Sequence, residues 1–225
     1  MWQLRLARLT RGRTAHGALR DSWQAPLPAR GTDWREVPFL VCDAEMSSLD
    51  PADGELLSLG WVRIEAGGIE LATSKHHLVR ASGTVGQSAT IHQIRDIELA
   101  QAAPLPDVLD AFLEAARGCV LVFHNAKLDL AFLDRESTSL FGAPVLLPTA
   151  DTFALEQRLL RRRDTPIGSG DLRLQACRDR YGLPAYPAHN AMLDALATAE
   201  LLLAHIRHRA GTGRFQLSQL LQRVY

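Results

Sequence analysis

Residues Pro38-Phe39-Leu40-Val41-Cys42 form an apolar run that leads straight into Asp43-Ala44-Glu45. No other stretch constrains the fold as much. A short apolar run that follows a linker-like segment suits a strand in the middle of a sheet, covered on both faces. Residues at i and i+2 of a strand share a face, so Asp43 and Glu45 stand side by side and Ala44 between them takes up no space. Carboxylates delivered by a buried strand are costly to leave uncompensated, so a metal or a cationic partner is expected beside them.

The elements around this strand follow from apolar periodicity. LLSLGWVRIE (56–65) and IELATSKHHLVR (69–80), joined at a Gly67-Gly68 turn, predict two antiparallel partners. Helical spacing of Leu105, Val108, Leu109, Phe112 and Leu113 predicts a helix over Leu105–Arg117, and Cys119–Phe123 reads as a second buried strand. A helix over Lys127–Phe141, a short strand ending at Ala150-Asp151 and helices over Thr152–Arg163, Asp171–Tyr181 and Asn190–Arg209 complete the pattern. Strands followed by alternating helix and strand units predict an α/β domain with a mixed sheet. Residues 1–36 read as a basic helical arm and linker, 37–210 as the main domain and 211–225 as a helical tail.

Composition narrows the function classes. Lys+Arg and Asp+Glu both total 25 in 225 residues, so no global positive field points to nucleic acid. Arginines are nonetheless crowded into the first 35 residues and at Arg158, Arg161, Arg162 and Arg163, where they fit either a strand's phosphate backbone or a solvated helix end. Cys42, Cys119 and Cys177 are odd in number and far apart, as buried free thiols of a reducing compartment are. No segment has the length of a membrane span, and the expected location is cytoplasmic, although the first twenty residues share the composition of a transit peptide. His76 and His77 are adjacent on a strand and face opposite ways, which disfavours a joint zinc site. Asp50, Asp53 and Glu55 read as a turn rather than a calcium loop.

Two more acids stand out. Asp129 sits one turn into the helix that follows strand LVFHN, a place that suits either a macrodipole-favoured carboxylate or a metal ligand. Asp194 lies within the apolar stretch AMLDALATA, where a ligand explains a lone acid better than chance does. His189, five residues earlier at the helix entrance, is a candidate general base. Acids on three separate segments with one nearby histidine are what a two-metal phosphodiesterase site requires.

The ordered motifs DAEMSSLDPADGELLSLG, SATIHQIRD, LVFHNAKLDLAFL and AHNAMLDALATAELLL together resemble the DEDDh branch of the 3′–5′ exonucleases, which includes the epsilon type of DNA polymerase III, ribonuclease T and oligoribonuclease. The resemblance runs from about Phe39 to Ala204. It implies a ribonuclease-H-like fold with a central mixed five-stranded sheet flanked by helices. It also implies that Asp43, Glu45, Asp129 and Asp194 hold two divalent cations, Mg2+ or Mn2+, and that His189 takes the proton from the attacking water. Two cations about 3.5–4 Å apart serve the attacking and the leaving oxygen of a phosphodiester.

By the same resemblance, Ala44, Met46 and Ser47 after the first strand, and Ile91, His92 and Ile94 in SATIHQIRD, would contact the terminal nucleotides. An ordinary loop-to-helix junction explains the latter letters too. Asn125 suits either a phosphate contact or a turn. Met46-Ser47-Ser48 departs from the two threonines and glycine common in the family, and Met46 is similar to the methionine of oligoribonucleases. The expected substrates are 3′ ends of single-stranded DNA or RNA, with nucleoside monophosphates as products and room for a protein partner. Trimming of short RNA and a non-catalytic binding module are the alternatives.

Overall fold

The computed structural model describes residues 1–80 and 96–222. Among these, the strands β1 (Phe39–Met46), β2 (Leu56–Glu65), β3 (Gly68–Leu78), β4 (Val120–Phe123) and β5 (Thr149–Asp151) form one sheet in the order β3-β2-β1-β4-β5. β1 pairs antiparallel with β2 and parallel with β4, β2 pairs antiparallel with β3, and β4 pairs parallel with β5. The sheet is therefore mixed, as the sequence predicts, with the apolar run at its centre. The flanking helices are α1 (Trp2–Arg11), α2 (Gly17–Gln24), α3 (Asp96–Ala100), α4 (Leu105–Ala115), α5 (Ala126–Phe141), α6 (Thr152–Arg162), α7 (Leu174–Asp179) and α8 (Ala191–Ala210).

Strand alternation sorts β1 into two layers. Leu40, Cys42, Ala44 and Met46 face one core with Leu59, Trp61, Leu121 and Phe123, closed by apolar side chains of α2, α4 and α5. Phe39 and Val41 face the other with Val62, Ile64, Val120 and Val122, closed by Ala199, Leu202 and Ile206 of α8. Asp43 and Glu45 continue the odd-numbered series, so the strand period turns both carboxylates toward α8.

The arm packs on its own chain. Ala15 and Leu19 are buried in the first core, the Arg8 Nε donates to the Leu146 carbonyl at 2.9 Å, and the Trp23 indole donates to the Val145 carbonyl at 2.9 Å. Gly142 must be a glycine, because its φ is +78° and a Cβ there would stand 2.3 Å from the Thr14 carbonyl oxygen. In α1 only Leu4 of the apolar series is buried, and Trp2, Leu6 and Leu9 remain exposed.

Three stretches differ from the sequence expectation. Residues 211–222 hold one 3-10 turn, Leu217–Gln219, rather than a helix. They run beside the segment before β1, with Trp34 N–H donating to the Phe215 carbonyl and Leu217 N–H to the Thr32 carbonyl, and they bury Phe215, Leu217 and Leu220 in the second core. The β2–β3 turn lies one residue earlier, at Ala66 and Gly67, both with positive φ. The helix predicted over Asp171–Tyr181 is confined to α7, because the Asp171 carboxylate accepts from Gly168 N–H at 2.7 Å and binds the preceding residues into a turn.

Candidate active site

Glu45 is buried at the end of β1 with Asp43 half-buried two residues before it, and Asp194 projects from the first turn of α8. One carboxylate oxygen from each of the three lies within 4.8 Å of the others. Asp129, in the first turn of α5 and 5% exposed, accepts from the Ala44 N–H at 3.1 Å. That donor is the peptide N–H between the two β1 acids, so the fourth carboxylate is fixed against the same strand end.

Local structure explains each placement. Gly60 of β2 is the cross-strand partner of Asp43, and a Cβ there would stand 2.3 Å from the Ala191 carbonyl carbon and the Met192 nitrogen. The missing side chain lets α8 start directly on the sheet. Asn190 caps α8 by accepting from Leu193 N–H at 3.1 Å, while Asp194 accepts from the backbone N–H groups of His189 at 2.8 Å and Asn190 at 3.2 Å. His189 is exposed in the left-handed region at φ +66°, with its backbone tied to Asp194.

The electrostatics are those of crowded acids. Burial raises the Asp43 carboxyl well above its ordinary pKa, and Asp129, Asp194 and Glu45 push it further. Asp129 is pushed up to about 7, chiefly by burial and then by Asp151 and Glu45, against the opposing hydrogen bonds from backbone N–H groups. Asp194 is raised by burial, with Glu45 adding and the His189 N–H opposing. Burial and mutual repulsion disfavour the ionised forms of these carboxylates, and a bound cation would offset both. A donor set made only of carboxylate oxygens fits a hard divalent cation and not a thiolate-seeking metal.

The other sequence candidates fall in different places. Ala44 and Met46 are buried in the first core, at 8% and 7% exposure, so Met46 serves the packing of that layer. The Ser47 hydroxyl accepts from Glu55 N–H at 2.8 Å and closes the loop after β1. Asn125 is exposed at φ +73°, a turn residue before α5, with its N–H donating to Asp151 at 2.9 Å. Ile91, His92 and Ile94 lie outside the described residues.

Two further residues shape the site. Asp151, 4% exposed, caps α6 through Phe153 N–H and holds the Asn125 turn with the same oxygen, joining the ends of β4 and β5. Its only signal in the sequence is an acid where a strand meets a helix. Arg178 is fully buried and donates to the Pro184 carbonyl and to Glu200, both at 2.7 Å, while its guanidinium lies over the Tyr186 ring. These contacts tie the loop that carries His189 to α8. Nothing in the local sequence marks that arginine.

A family model described as an exonuclease, the RNase T type, matches residues 40–202, a span that holds Asp43, Glu45, Asp129, His189 and Asp194. The chain belongs to the RNase T exonuclease family. This exonuclease is 27% identical over 190 residues to a PolC-type DNA polymerase III of Thermotoga petrophila, covering 84% of its own length and 13% of that relative. It is 27% identical over 183 residues to the DNA polymerase III subunit epsilon of Treponema pallidum, covering 79% and 83%. It is 31% identical over 172 residues to an epsilon-like protein of Rhodobacter capsulatus, covering 75% and 23%. The exonuclease chain thus spans a small part of the PolC-type relatives. Among solved structures it resembles exonuclease I, with TM-score 0.67 and 15% identity over 76% of this chain and 41% of that one. It also resembles exonuclease X in complex with 5′ overhanging duplex DNA, with TM-score 0.60 and 22% identity over 80% and 97%. These likenesses establish the ribonuclease-H-like fold. Among the described residues, no helix is long and apolar enough to cross a membrane.

Proposed function

We propose that the protein removes nucleotides from the 3′ end of single-stranded DNA or RNA, releasing nucleoside 5′-monophosphates. The observation that carries this reading is the convergence of Asp43, Glu45 and Asp194, with Asp129 hydrogen-bonded to the peptide between the two β1 acids. Pure binding of a polyanion gives no reason to gather closely spaced negative charge. Asp43, Glu45, Asp129 and Asp194 would hold two divalent cations, Mg2+ or Mn2+. When bound, the cations supply charge stabilisation at the scissile phosphate and acidify water.

The remaining steps belong to the chain. Asp194 holds the backbone of His189 and Asn190, which keeps the His189 loop at the mouth of the acid cluster. His189 accepts the proton of the attacking water on a ring nitrogen, a task suited to an imidazole near neutral pH. The kinship to a DNA polymerase III subunit epsilon supports DNA as one substrate.

A time course on 5′-labelled single-stranded DNA and RNA with Mg2+ or Mn2+ tests the proposal. A ladder that shrinks from the 3′ end, absent with chelator, is the expected result. Immediate release of a labelled mononucleotide would reverse the polarity. No metal-stimulated hydrolysis of any substrate would leave a binding module.

A further inference from the structure

Residues of α6, α8 and the 3-10 turn at Leu217–Gln219 enclose a pocket of about 170 Å³ lined by Arg158, Arg162, Arg209, His205, Ser218 and Gln219 among others. His205 and Arg209 lie eleven and fifteen residues beyond Asp194 on the same helix, roughly 16 and 22 Å along its axis. The pocket is therefore separate from the proposed catalytic centre. Its three guanidiniums have no carboxylate within ion-pair distance among the described residues, and Arg209 rests on the Phe215 ring.

The pocket wall also holds an unused polar atom. His205 is 1% exposed, its Nδ1 lies 2.7 Å from a Glu156 oxygen, and its Nε2 is buried with no hydrogen-bond partner. Glu156 accepts from Tyr181 at 2.7 Å and from Arg180 at 3.1 Å as well, so the Nδ1 edge of the ring is fixed, and the unpartnered Nε2 belongs to a residue that lines the pocket. A buried polar atom without a partner is costly, and natural proteins seldom keep one that no ligand or water satisfies. Burial, followed by repulsion from Arg162, holds the Arg158 guanidinium below its ordinary pKa, and burial with Arg162 and Arg158 does the same to Arg209. Asp151 opposes the shift of Arg158 from beyond ion-pair distance, so the cluster carries positive charge with no directly paired carboxylate among the described residues.

We infer that this pocket binds a phosphoryl group, held by Arg158, Arg162 and Arg209 with His205 Nε2 as a further hydrogen-bonding partner. Guanidinium forks match phosphate oxygens in shape and charge. Either protonation form of the imidazole serves, since a neutral Nε2 accepts from a protonated phosphate oxygen and an imidazolium donates to an ionised one. The group belongs either to free phosphate or a mononucleotide, or to the backbone of a bound strand.

Calorimetric titration of the full chain with inorganic phosphate at constant ionic strength, in chelator, tests the assignment. The double variant Arg158→Gln/Arg162→Gln is compared with Arg161→Gln/Arg207→Gln, which removes equal charge from exposed positions outside the pocket. Saturable binding is expected in the parent, weakened at least roughly tenfold in the first variant and within about twofold of the parent in the second. Equal weakening in both variants, or no saturable binding in the parent, overturns the inference. A 5′-mononucleotide and a single-stranded oligonucleotide are then added as competitors at equal phosphate concentration. Stronger displacement by the oligonucleotide assigns the site to the backbone, and stronger displacement by the mononucleotide assigns it to the small ligand. The readout is independent of hydrolysis, so it fails or succeeds separately from the proposed exonuclease reaction.

Discussion

His189 is joined to the acid cluster through its backbone, because its N–H donates to Asp194 while its side chain stays exposed at the entrance of α8. The base proposed for this position would be separable from metal binding. His189→Ala is expected to lower kcat by roughly 10²–10⁴ and to leave the affinity for Mn2+ within a few-fold. Single-turnover hydrolysis and a calorimetric metal titration check the two halves, and parent-like turnover would remove the histidine from the chemistry. The residues that gather in the acid cluster were legible in the sequence as anomalies, such as an acid after a buried strand or within an apolar helix. Arg178 and Asp151 were not, since each reaches a partner more than twenty residues away, Glu200 and Asn125, and an arginine in the short α7 looks like any solvated charge.

At the scale of elements, the strands and long helices follow from periodicity, and the site depends on one contact that periodicity cannot show. The start of α8 lies on β2 at Gly60, opposite Asp43, and a glycine inside a strand is the sole trace of it. Gly60→Ala would press a methyl against helix backbone rather than a yielding side chain, at a cost of roughly 1–3 kcal/mol as the helix end moves. The displacement carries Asp194 with it. Metal affinity and kcat are expected to fall together, at least roughly tenfold each, in a protein that still unfolds cooperatively. Unchanged metal affinity in a folded variant would show that the close approach is not what sets the site. The segment 211–222 escaped the sequence reading for a similar reason: its two glycines and scattered apolar residues have no period, and its place is fixed by backbone pairing to residues 30–34.

Across the whole molecule, the acid cluster sets stability against function. Asp129 holds its proton up to about pH 7 in the folded protein, whereas an unfolded aspartate releases it near pH 4. Between those values the folded state binds more protons than the unfolded one, so the contribution of Asp129 to stability falls as pH rises. Asp43 and Asp194, also raised, act in the same direction. Glu156 has the opposite sign: its buried carboxylate is lowered by His205, Tyr181 and Arg180 despite burial, so its stabilisation is present above about pH 4.5 and is lost as pH falls through its folded pKa. His124, lowered by burial, likewise favours the folded state as pH rises toward about 6.5. Because these groups oppose one another, a difference between proteins isolates the cluster. In chelator, Asp129→Asn is expected to gain stability relative to the parent as pH rises from about 4 to 7, by roughly 2–4 kcal/mol in total, and to gain no more above pH 7. The stabilisation conferred by Mg2+ or Mn2+ on the parent should grow over the same range, since each cation takes the place of protons that must first leave. Denaturant midpoints at pH 5, 6, 7 and 8, with and without metal, measure both trends. A metal increment that is independent of pH would mean that the carboxylates are already ionised in the folded protein and that the cluster is not poised to exchange protons for cations.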